Sequence, residues 1–342
     1  MGKIVYLQRR QAAIEEPRDP SDVYLAISEW LQSKAKHTAH TYTRLACVWS
    51  IYLGAEFDRK KAGPLWQKAT YAMAEKFLLD CLQRSARGGR AKDASNDGKI
   101  SLATVAYKAK VLKSMYECLI AKGLATSNPF SRCVFERKGV KYKGGDRSPH
   151  KRIPDDDVRR ILKHDFDKGK RGVRDKALLF LLIGGALRRS EAVGIELRDL
   201  TLSVKGTFLL TLRKTKTGTV QNLSLPPWVG KVLMKLKQDR EGQGAKPHDR
   251  LFVRYLETSD RTPPISDVFV YRTFLKYRDE LGLSPDFTPH ACRVTAITRL
   301  LDQGYSHRDV KKLSRHASVS MVEKYDKQRE DEDESPSKDL KF

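Results

Sequence analysis

The sequence predicts a mainly helical protein with one small β-hairpin, an α+β fold divided between two domains. Apolar residues recur at helical spacing over residues 21–123 and again beyond residue 154, whereas polar and apolar residues alternate over residues 207–212. The chain has 342 residues, which is more than one typical core requires. Two domains, both rich in helix, are therefore expected.

The first domain is predicted at residues 21–135, after a flexible basic lead of residues 1–20 in which two prolines disfavour an early helix. Gly123 suits the end of the last helix, because glycine readily adopts the left-handed conformation there. A polar, glycine-rich stretch, residues 85–98, is typical of an exposed loop. Four helices are marked in chain order by Ser21, Thr38, Met73 and Ser101.

A basic linker is predicted at residues 136–153, because the stretch is dense in Lys, Arg and Gly and has no period. The second domain, residues 154–327, begins with a helix whose first turn carries three aspartates, as the positive end of a helix favours. The rest of this domain is predicted as an apolar helix at 175–183, a hairpin at 207–212 and 220–225, and further helices up to Tyr325. Residues 328–342 form an acidic tail.

The charge of the chain indicates a polyanionic partner. The formal net charge is +24, with 27 basic and 14 acidic residues over 1–150 and 39 and 28 over 151–342. Because both domains are positive, nucleic acid is the favoured partner. The sequence has no apolar run long enough to span a membrane and no signal-like N-terminus, so an anionic membrane is a weaker interpretation. The five scattered cysteines argue against a disulfide framework or a zinc site and suit a reducing cytoplasm.

Two segments of the second domain place cations at turns. In the first, an apolar helix stops before Arg188 and Arg189, and Ser190 can cap the next helix. In the second, Lys214 and Lys216 flank a threonine at the predicted hairpin turn. A basic residue at such a turn is more often solvated than catalytic, so each needs further support.

Two more segments place histidines near a helix start and near a tyrosine. Residues 288–293 are Thr-Pro-His-Ala-Cys-Arg, in which the threonine suits a helix N-cap and the proline the first helical position. His290 and Arg293 then lie three apart on one helix face, at a helix end that favours anions. His316 stands nine residues before Tyr325.

Together these segments resemble the tyrosine recombinase (integrase) superfamily, and the resemblance covers nearly the whole chain. The family pattern is an Arg in a Leu-Arg-x-Ser-Glu turn, a Lys on a hairpin, a His-x-x-Arg box, a second His, and a Tyr nine residues later. The resemblance implies a helical core-binding domain followed by a catalytic domain, with Glu191 at the family's acidic position. The implied catalytic residues are Arg188, Lys216, His290, Arg293, His316 and Tyr325.

These residue types also suit attack on a phosphodiester. Two guanidiniums can clamp the non-bridging oxygens, so no metal or other cofactor is expected. A phenol ionises only near pH 10, and Tyr325 therefore needs a base or a positive field. His290 is the candidate for that proton transfer, His316 for a hydrogen bond to the phosphate, and Lys216 for protonation of the departing 5′ oxygen.

Several assignments have rivals in the neighbouring sequence. Arg189 and Lys214 compete with Arg188 and Lys216, and the motif register favours the latter pair. Tyr305 competes with Tyr325 but lacks the nine-residue gap, and His316 alone could be a packed core histidine. The chain also departs from the family pattern twice. Arg315 replaces the usual Gly before the second His, which adds a bulky charge near the site, and Cys292 replaces the usual Leu.

The resemblance implies a cytoplasmic, nucleoid-associated, site-specific DNA recombinase. It would exchange strands between inverted-repeat sites in double-stranded DNA as a homotetramer, through a 3′-phosphotyrosyl intermediate, with a possible accessory or partner recombinase. The short lead favours a two-domain recombinase of a mobile element or of the chromosome-dimer-resolving type. The alternatives are a topoisomerase I-B-like or telomere-resolving strand transferase, and a DNA-binding protein with the same fold but no activity.

Overall fold

A computed structural model of the chain confirms the predicted fold class, since it is mainly helical with one small antiparallel sheet. It divides into two compact units, Met1–Ser148 and Pro149–Phe342. The predicted lead, most of the linker, the glycine-rich loop, Lys216 with the hairpin turn, and the tail all fall outside the described residues, so these remain predictions. The structure describes residues 21–58, 62–83, 100–131, 151–213, 220–257, 259–316 and 318–326.

The first unit is built from helices whose apolar faces meet in one core. The last helix begins where Ser101 Oγ accepts a hydrogen bond from Thr104 N, and Gly123 follows it with φ +67°, as predicted. One short helix, which carries the buried Trp66, was not expected from the sequence. The helices of this unit are α1 (Ser21–Gln32), α2 (Lys36–Leu53), α3 (Ala62–Lys68), α4 (Tyr71–Gln83) and α5 (Leu102–Ala121).

Buried polar atoms in this core are joined in one chain of hydrogen bonds. Trp49 Nε1 donates to Tyr116 Oη at 3.1 Å, and Tyr116 donates to the carbonyl of Trp66 at 3.0 Å. Trp66 Nε1 in turn donates to Ser50 Oγ at 2.7 Å. Because each of these three donors has an acceptor, the rings of Trp49, Trp66 and Tyr116 fill the core without leaving their own polar groups unpaired.

The second unit surrounds one apolar helix with other helices and a three-stranded sheet. Its elements before the sheet are α6 (Asp155–Lys163), α7 (Lys170–Gly185) and α8 (Arg189–Val193). The strands are β1 (Leu200–Leu202), β2 (Phe208–Leu212) and β3 (Gln221–Leu225). The remaining helices are α9 (Pro227–Gly242), α10 (Asp267–Glu280), α11 (Pro289–Asp302), α12 (His307–Ser314) and α13 (Ser320–Asp326).

Helix α7 is the centre of the second unit. Residues 177–183 are apolar all round the helix and are buried, which is the pattern of a helix enclosed on every side. It packs against α9 and α11. The sheet order is β1-β2-β3, and the predicted hairpin is the antiparallel pair β2–β3, in which Leu210 faces Leu223. Strand β1, which is only three residues long, was not predicted.

One helix start differs from the sequence prediction. Arg188, not Ser190, occupies the N-cap of α8, and the third helical residue, Glu191, accepts the hydrogen bond from Arg188 N at 2.8 Å. Ser190 is instead inside the helix and exposed. A glutamate at the third helical position can accept the backbone N–H of the N-cap residue, so a helix can begin without a serine at its N-cap. Helix α8 therefore begins two residues earlier than expected. Among the described residues, no helix is long and apolar enough to cross a membrane.

Candidate active site

The turn between α7 and α8 positions Arg188. Helix α7 ends at Ala186, which takes a left-handed conformation with φ 50°. The chain then extends, and Arg188 Nη1 donates to Glu191 Oε1 at 2.8 Å. Glu191 is 4% exposed, whereas 29% of the Arg188 side chain remains exposed. The buried carboxylate therefore anchors a guanidinium that solvent can still reach.

Arg293 approaches the same turn from α11. Thr288 Oγ1 accepts from Ala291 N at 3.2 Å and Pro289 is the first helical residue, as predicted, so α11 begins at the expected place. Arg293 is one turn further on, 2% exposed, and its Nη1 donates to the carbonyl of Ala186 at 2.6 Å. Its Nη2 donates to the carbonyl of Ser314. Arg293 thus ties the ends of α7 and α12 together.

His316 follows the end of α12 and contacts Arg293. Its Nε2 lies 3.3 Å from Arg293 Nη2, and its Nδ1 lies 2.9 Å from Ser314 Oγ. Because a guanidinium only donates, Nε2 must accept here, and Nδ1 then carries the proton and donates to Ser314. For His316 to donate a hydrogen bond to a phosphate through Nε2, it must change tautomer or take up a proton.

Tyr325 is held in the same cluster by a small second core. The phenol ring stacks on the His316 imidazole with centroids 5.6 Å apart and 23° between planes. The residue is 9% exposed and packs with apolar side chains of α11, α12 and α13, including Val294 and Val322. Tyr305, its rival in the sequence, is 54% exposed in the turn after α11. The structure thus places Tyr325 beside the site histidine.

The two remaining predicted site residues are His290, which is exposed, and Lys216, which the structure does not describe. His290 lies at the start of α11, and it follows burial and the three arginines among the causes that lower the pKa of His316. Lys216 and its rival Lys214 lie outside the described residues, between β2 and β3. Arg189, the rival of Arg188, is the first residue of α8 and is half-buried.

Arg315 joins the cluster although no motif in the sequence predicts a place for it there. Arg315 ends α12 with φ 57°, and its Nη2 donates to Glu191 Oε2 and to the Ala186 carbonyl, both at 2.9 Å. It is 8% exposed. Two features of the sequence could have indicated this contact. Glu191 had no cation assigned to it, and Arg315 stands where the family pattern has glycine.

The cluster therefore holds three guanidiniums and one carboxylate: Glu191 pairs with Arg188 and Arg315, and Arg293 shares the Ala186 carbonyl with Arg315. Burial raises the pKa of Glu191, but the charge of Arg315 and the hydrogen bonds from Arg188 outweigh it, and the net pKa is lowered. Burial, and then the charges of Arg188 and Arg315, lower the pKa of Arg293 to about 10. Because a guanidinium is a cation at neutral pH, three of them against one carboxylate leave an excess of positive charge, which favours an anion.

The same charges act on the histidine and the tyrosine. Burial, followed by the charges of Arg293 and Arg188, lowers the pKa of His316 to about 4, so the imidazole is neutral at neutral pH. Burial raises the pKa of the Tyr325 phenol, and Arg293 and Arg188 only partly offset this. Tyr325 is therefore a neutral phenol in the free protein, and to act as a nucleophile it would have to lose its proton during the attack rather than before it.

Cys292, the second departure from the family pattern, lies in the main core of the second unit at 1% exposure, where burial raises the pKa of its thiol. It fills the place of an apolar side chain. Among the residues that the structure describes, no group of three or more His, Cys, Asp or Glu side chains is arranged to hold a metal ion.

Comparisons with known proteins agree on one class. Residues 151–332 match the model of the phage integrase family. Tyrosine recombinase XerC of Salmonella typhi is 26% identical to this chain over 260 residues, which is 76% of each chain. Tyrosine recombinase Synpcc7942_B2651 of Synechococcus elongatus is 30% identical over 249 residues, which is 71% of this chain and 72% of that protein. The Tn1549 transposon integrase, solved in complex with circular intermediate DNA, shares the fold with a TM-score of 0.61 at 20% identity, over 89% of this chain and 94% of that one.

The fold and the matches together define a tyrosine-type site-specific recombinase. The chain belongs to the phage integrase family, whose model matches more than half of its length, including the turn of Arg188 and the helix of Tyr325.

Proposed function

We propose that this recombinase cleaves double-stranded DNA with Tyr325 and exchanges strands through a 3′-phosphotyrosyl intermediate. The observation that carries the proposal is the cluster of Arg188, Arg293 and His316 against Tyr325, in which positive charge exceeds negative charge. A phosphodiester oxygen would meet Arg188 and His290 first, since these side chains are accessible, with Arg293 directly behind His316.

In this reaction the Tyr325 oxygen attacks the phosphorus and the 5′ oxygen leaves. The phenol proton passes to His290, and Lys216 protonates the departing 5′ oxygen, so that the products are a phosphotyrosyl 3′ end and a free 5′ hydroxyl. Arg188 and Arg293 stabilise the charge that builds on the non-bridging oxygens. Because the phosphotyrosyl bond keeps the energy of the cleaved bond, a 5′ hydroxyl from another duplex can reverse the step without ATP, and no metal is required.

The partners follow from that chemistry. Reciprocal exchange cuts each of two duplexes twice, which calls for four copies of Tyr325 and therefore a homotetramer on paired inverted-repeat sites. The two units would clamp the duplex, and the basic linker would lie on phosphates. The acidic tail, residues 328–342, would dock on a neighbouring protomer, and an accessory or partner recombinase could complete the assembly. A cytoplasmic place on the nucleoid suits such an enzyme.

Covalent capture tests the central step and selects the DNA site in the same experiment. The protein is mixed with a library of nicked duplexes whose inverted repeats are randomised, and adducts that survive SDS are isolated and sequenced. The wild type should enrich one repeat sequence, whereas Tyr325→Phe should bind the same sequence and yield no adduct. If Tyr325→Phe still forms adducts, or if the wild type only binds, the proposal is wrong. Relaxation of plasmids that lack the selected site would favour a topoisomerase-like enzyme.

A separate measurement tests the role of the tail. Deletion of residues 328–342 should leave binding and cleavage at a single selected site intact, because it removes none of the residues of the cluster. It should reduce the yield of complexes that hold two duplexes together, measured by native gel shift with two labelled sites. Intact pairing of the two sites would contradict the docking role.

A further inference from the structure

Arg315 occupies a backbone conformation that ordinarily selects glycine. It is the left-handed residue that ends α12, with φ 57° and ψ 41°. Ala186, at the end of α7, is the other non-glycine residue with positive φ among those the structure describes. Such a conformation is unfavourable for residues with a Cβ, and it persists only where surrounding contacts impose it.

The Arg315 side chain enters the cluster instead of pointing to solvent. Only 4% of the side chain is exposed, and its guanidinium is anchored at three points. Nη1 donates to the carbonyl of Leu313 at 2.6 Å, and Nη2 donates to Glu191 Oε2 and to the Ala186 carbonyl, each at 2.9 Å. Of these acceptors, the Ala186 carbonyl lies in the turn that carries Arg188, and Glu191 lies in the helix that follows it.

The acceptors of Arg315 also hold the two predicted catalytic arginines. Glu191 binds Arg315 through Oε2 and Arg188 through Oε1, and the Ala186 carbonyl accepts from both Arg315 and Arg293. In return, the carbonyl of Arg315 accepts from Arg188 Nη2 at 3.2 Å. Every guanidinium of the cluster is therefore linked to Arg315 directly or through one shared acceptor.

We propose that Arg315 is a positioning residue for strand transfer, which fixes the guanidiniums of Arg188 and Arg293 through Glu191 and the carbonyl of Ala186. This inference rests on the function proposed above. Because Glu191 is shared, loss of Arg315 would leave its carboxylate to Arg188 alone and would free the turn at Ala186. The guanidiniums would remain present but would meet the phosphate in altered positions.

The test compares Arg315→Gly and Arg315→Lys in the full-length protein. Glycine accepts φ 57° without strain and removes the side chain, whereas lysine keeps the charge but lacks the planar fork that reaches two acceptors. We expect each variant to bind the selected DNA with unchanged affinity. Each should form the covalent complex about 100-fold more slowly at saturating protein, the size of effect that a misplacement of about 1 Å produces.

Chemical rescue distinguishes positioning from general stability. In Arg315→Gly, millimolar guanidinium should restore part of the cleavage rate by occupying the vacated space beside Glu191, and ammonium should not. Arg174→Ala is the matched control, since Arg174 is also buried, at 5% exposed, and pairs with Asp175 at 2.7 Å, with contacts to Val253 and two aromatic rings. It should lower stability without slowing cleavage by the folded protein.

Each outcome decides the proposal. Wild-type cleavage rates in both Arg315 variants would overturn it. The proposal would also be overturned if the cleavage rate of the Arg315 variants fell only in proportion to their folded fraction, as is expected for Arg174→Ala. Arg315 would then have a structural role alone. If the wild type itself forms no covalent complex, the proposed function fails, and the positioning role fails with it. Slow cleavage with intact folding and binding, rescued by guanidinium, supports the role.

Discussion

His316 should make the second unit sensitive to mild acid. Its pKa is about 4 in the folded protein, because of burial and then the neighbouring arginines, against about 6.5 for an unfolded chain. The unfolded chain therefore takes up a proton first as the pH falls, and stability that is fully present above about pH 6.5 is lost as the pH approaches about 4. At about pH 5 the linkage amounts to about 2 kcal/mol, which partial exposure of the ring reduces to about 1 to 2 kcal/mol.

The variant His316→Gln isolates this effect, since glutamine does not titrate. Urea unfolding at about pH 7 and about pH 5 is followed by fluorine NMR of fluorotryptophan-labelled protein, in which Trp228 of α9 reports on the second unit. The wild type should lose about 1 to 2 kcal/mol more between the two pH values than the variant does. Acidic groups contribute equally to both proteins and cancel in the difference.

Two results would refute this reasoning. One is an equal loss of stability in wild type and His316→Gln, which would mean that the imidazole is not held neutral by its surroundings. The other is a histidine titration by proton NMR in which the His316 ring has its midpoint at the ordinary value. Either result would remove the argument that Nε2 of His316 accepts from Arg293 in the free protein.

Three further variants test other parts of the second unit. Arg293→Lys should slow covalent-complex formation by about 100- to 1,000-fold in a single-turnover assay, because a lysine cannot reach both the Ala186 carbonyl and His316. A wild-type rate would exclude Arg293 from the reaction. Thr288→Ala should destabilise the unit by about 1 kcal/mol in urea, since it removes the N-cap of α11. Gly230→Ala should cost about 1 to 3 kcal/mol in the same assay, because its Cβ would lie 2.0 Å from Phe208 Cγ. Gly242→Ala, which meets nothing within 4 Å, is the control and should be neutral.

The helices were predictable because their signals are local. The core positions of α7 are apolar in an unbroken run, and Thr288 with Pro289 marks the start of α11 by capping chemistry alone. Strand β1 was not predictable in this way, since its three residues pair only because β2 is beside them. A contact that depends on a distant partner leaves no periodic pattern in so short a segment.

The family pattern predicted a set of site residues, of which Arg188, Arg293, His316 and Tyr325 lie in one cluster, but it did not predict their protonation or their partners. That His316 is neutral follows from burial and from the charges of Arg293, Arg188 and Arg315, of which the first two come from distant segments that no spacing rule contains. Likewise, the N-cap at Arg188 instead of Ser190 depends on Glu191, whose carboxylate is fixed by Arg315 from another helix. Such properties belong to the assembled cluster rather than to any one segment.

Glu191 and the arginines around it connect stability with affinity for a phosphate. The lowered pKa of Arg293 means that its charge is costly in the free protein, because burial and two neighbouring guanidiniums oppose it. One carboxylate compensates only part of that charge, so the fold is less stable than it would be with a balanced cluster. A phosphodiester bound beside Arg188, as in the proposed reaction, would supply the missing negative charge and relieve this cost. In the proposed reaction, positive charge that is unfavourable in the free fold would stabilise a bound phosphodiester, and Arg315 would fix the positions in which Arg188 and Arg293 present that charge.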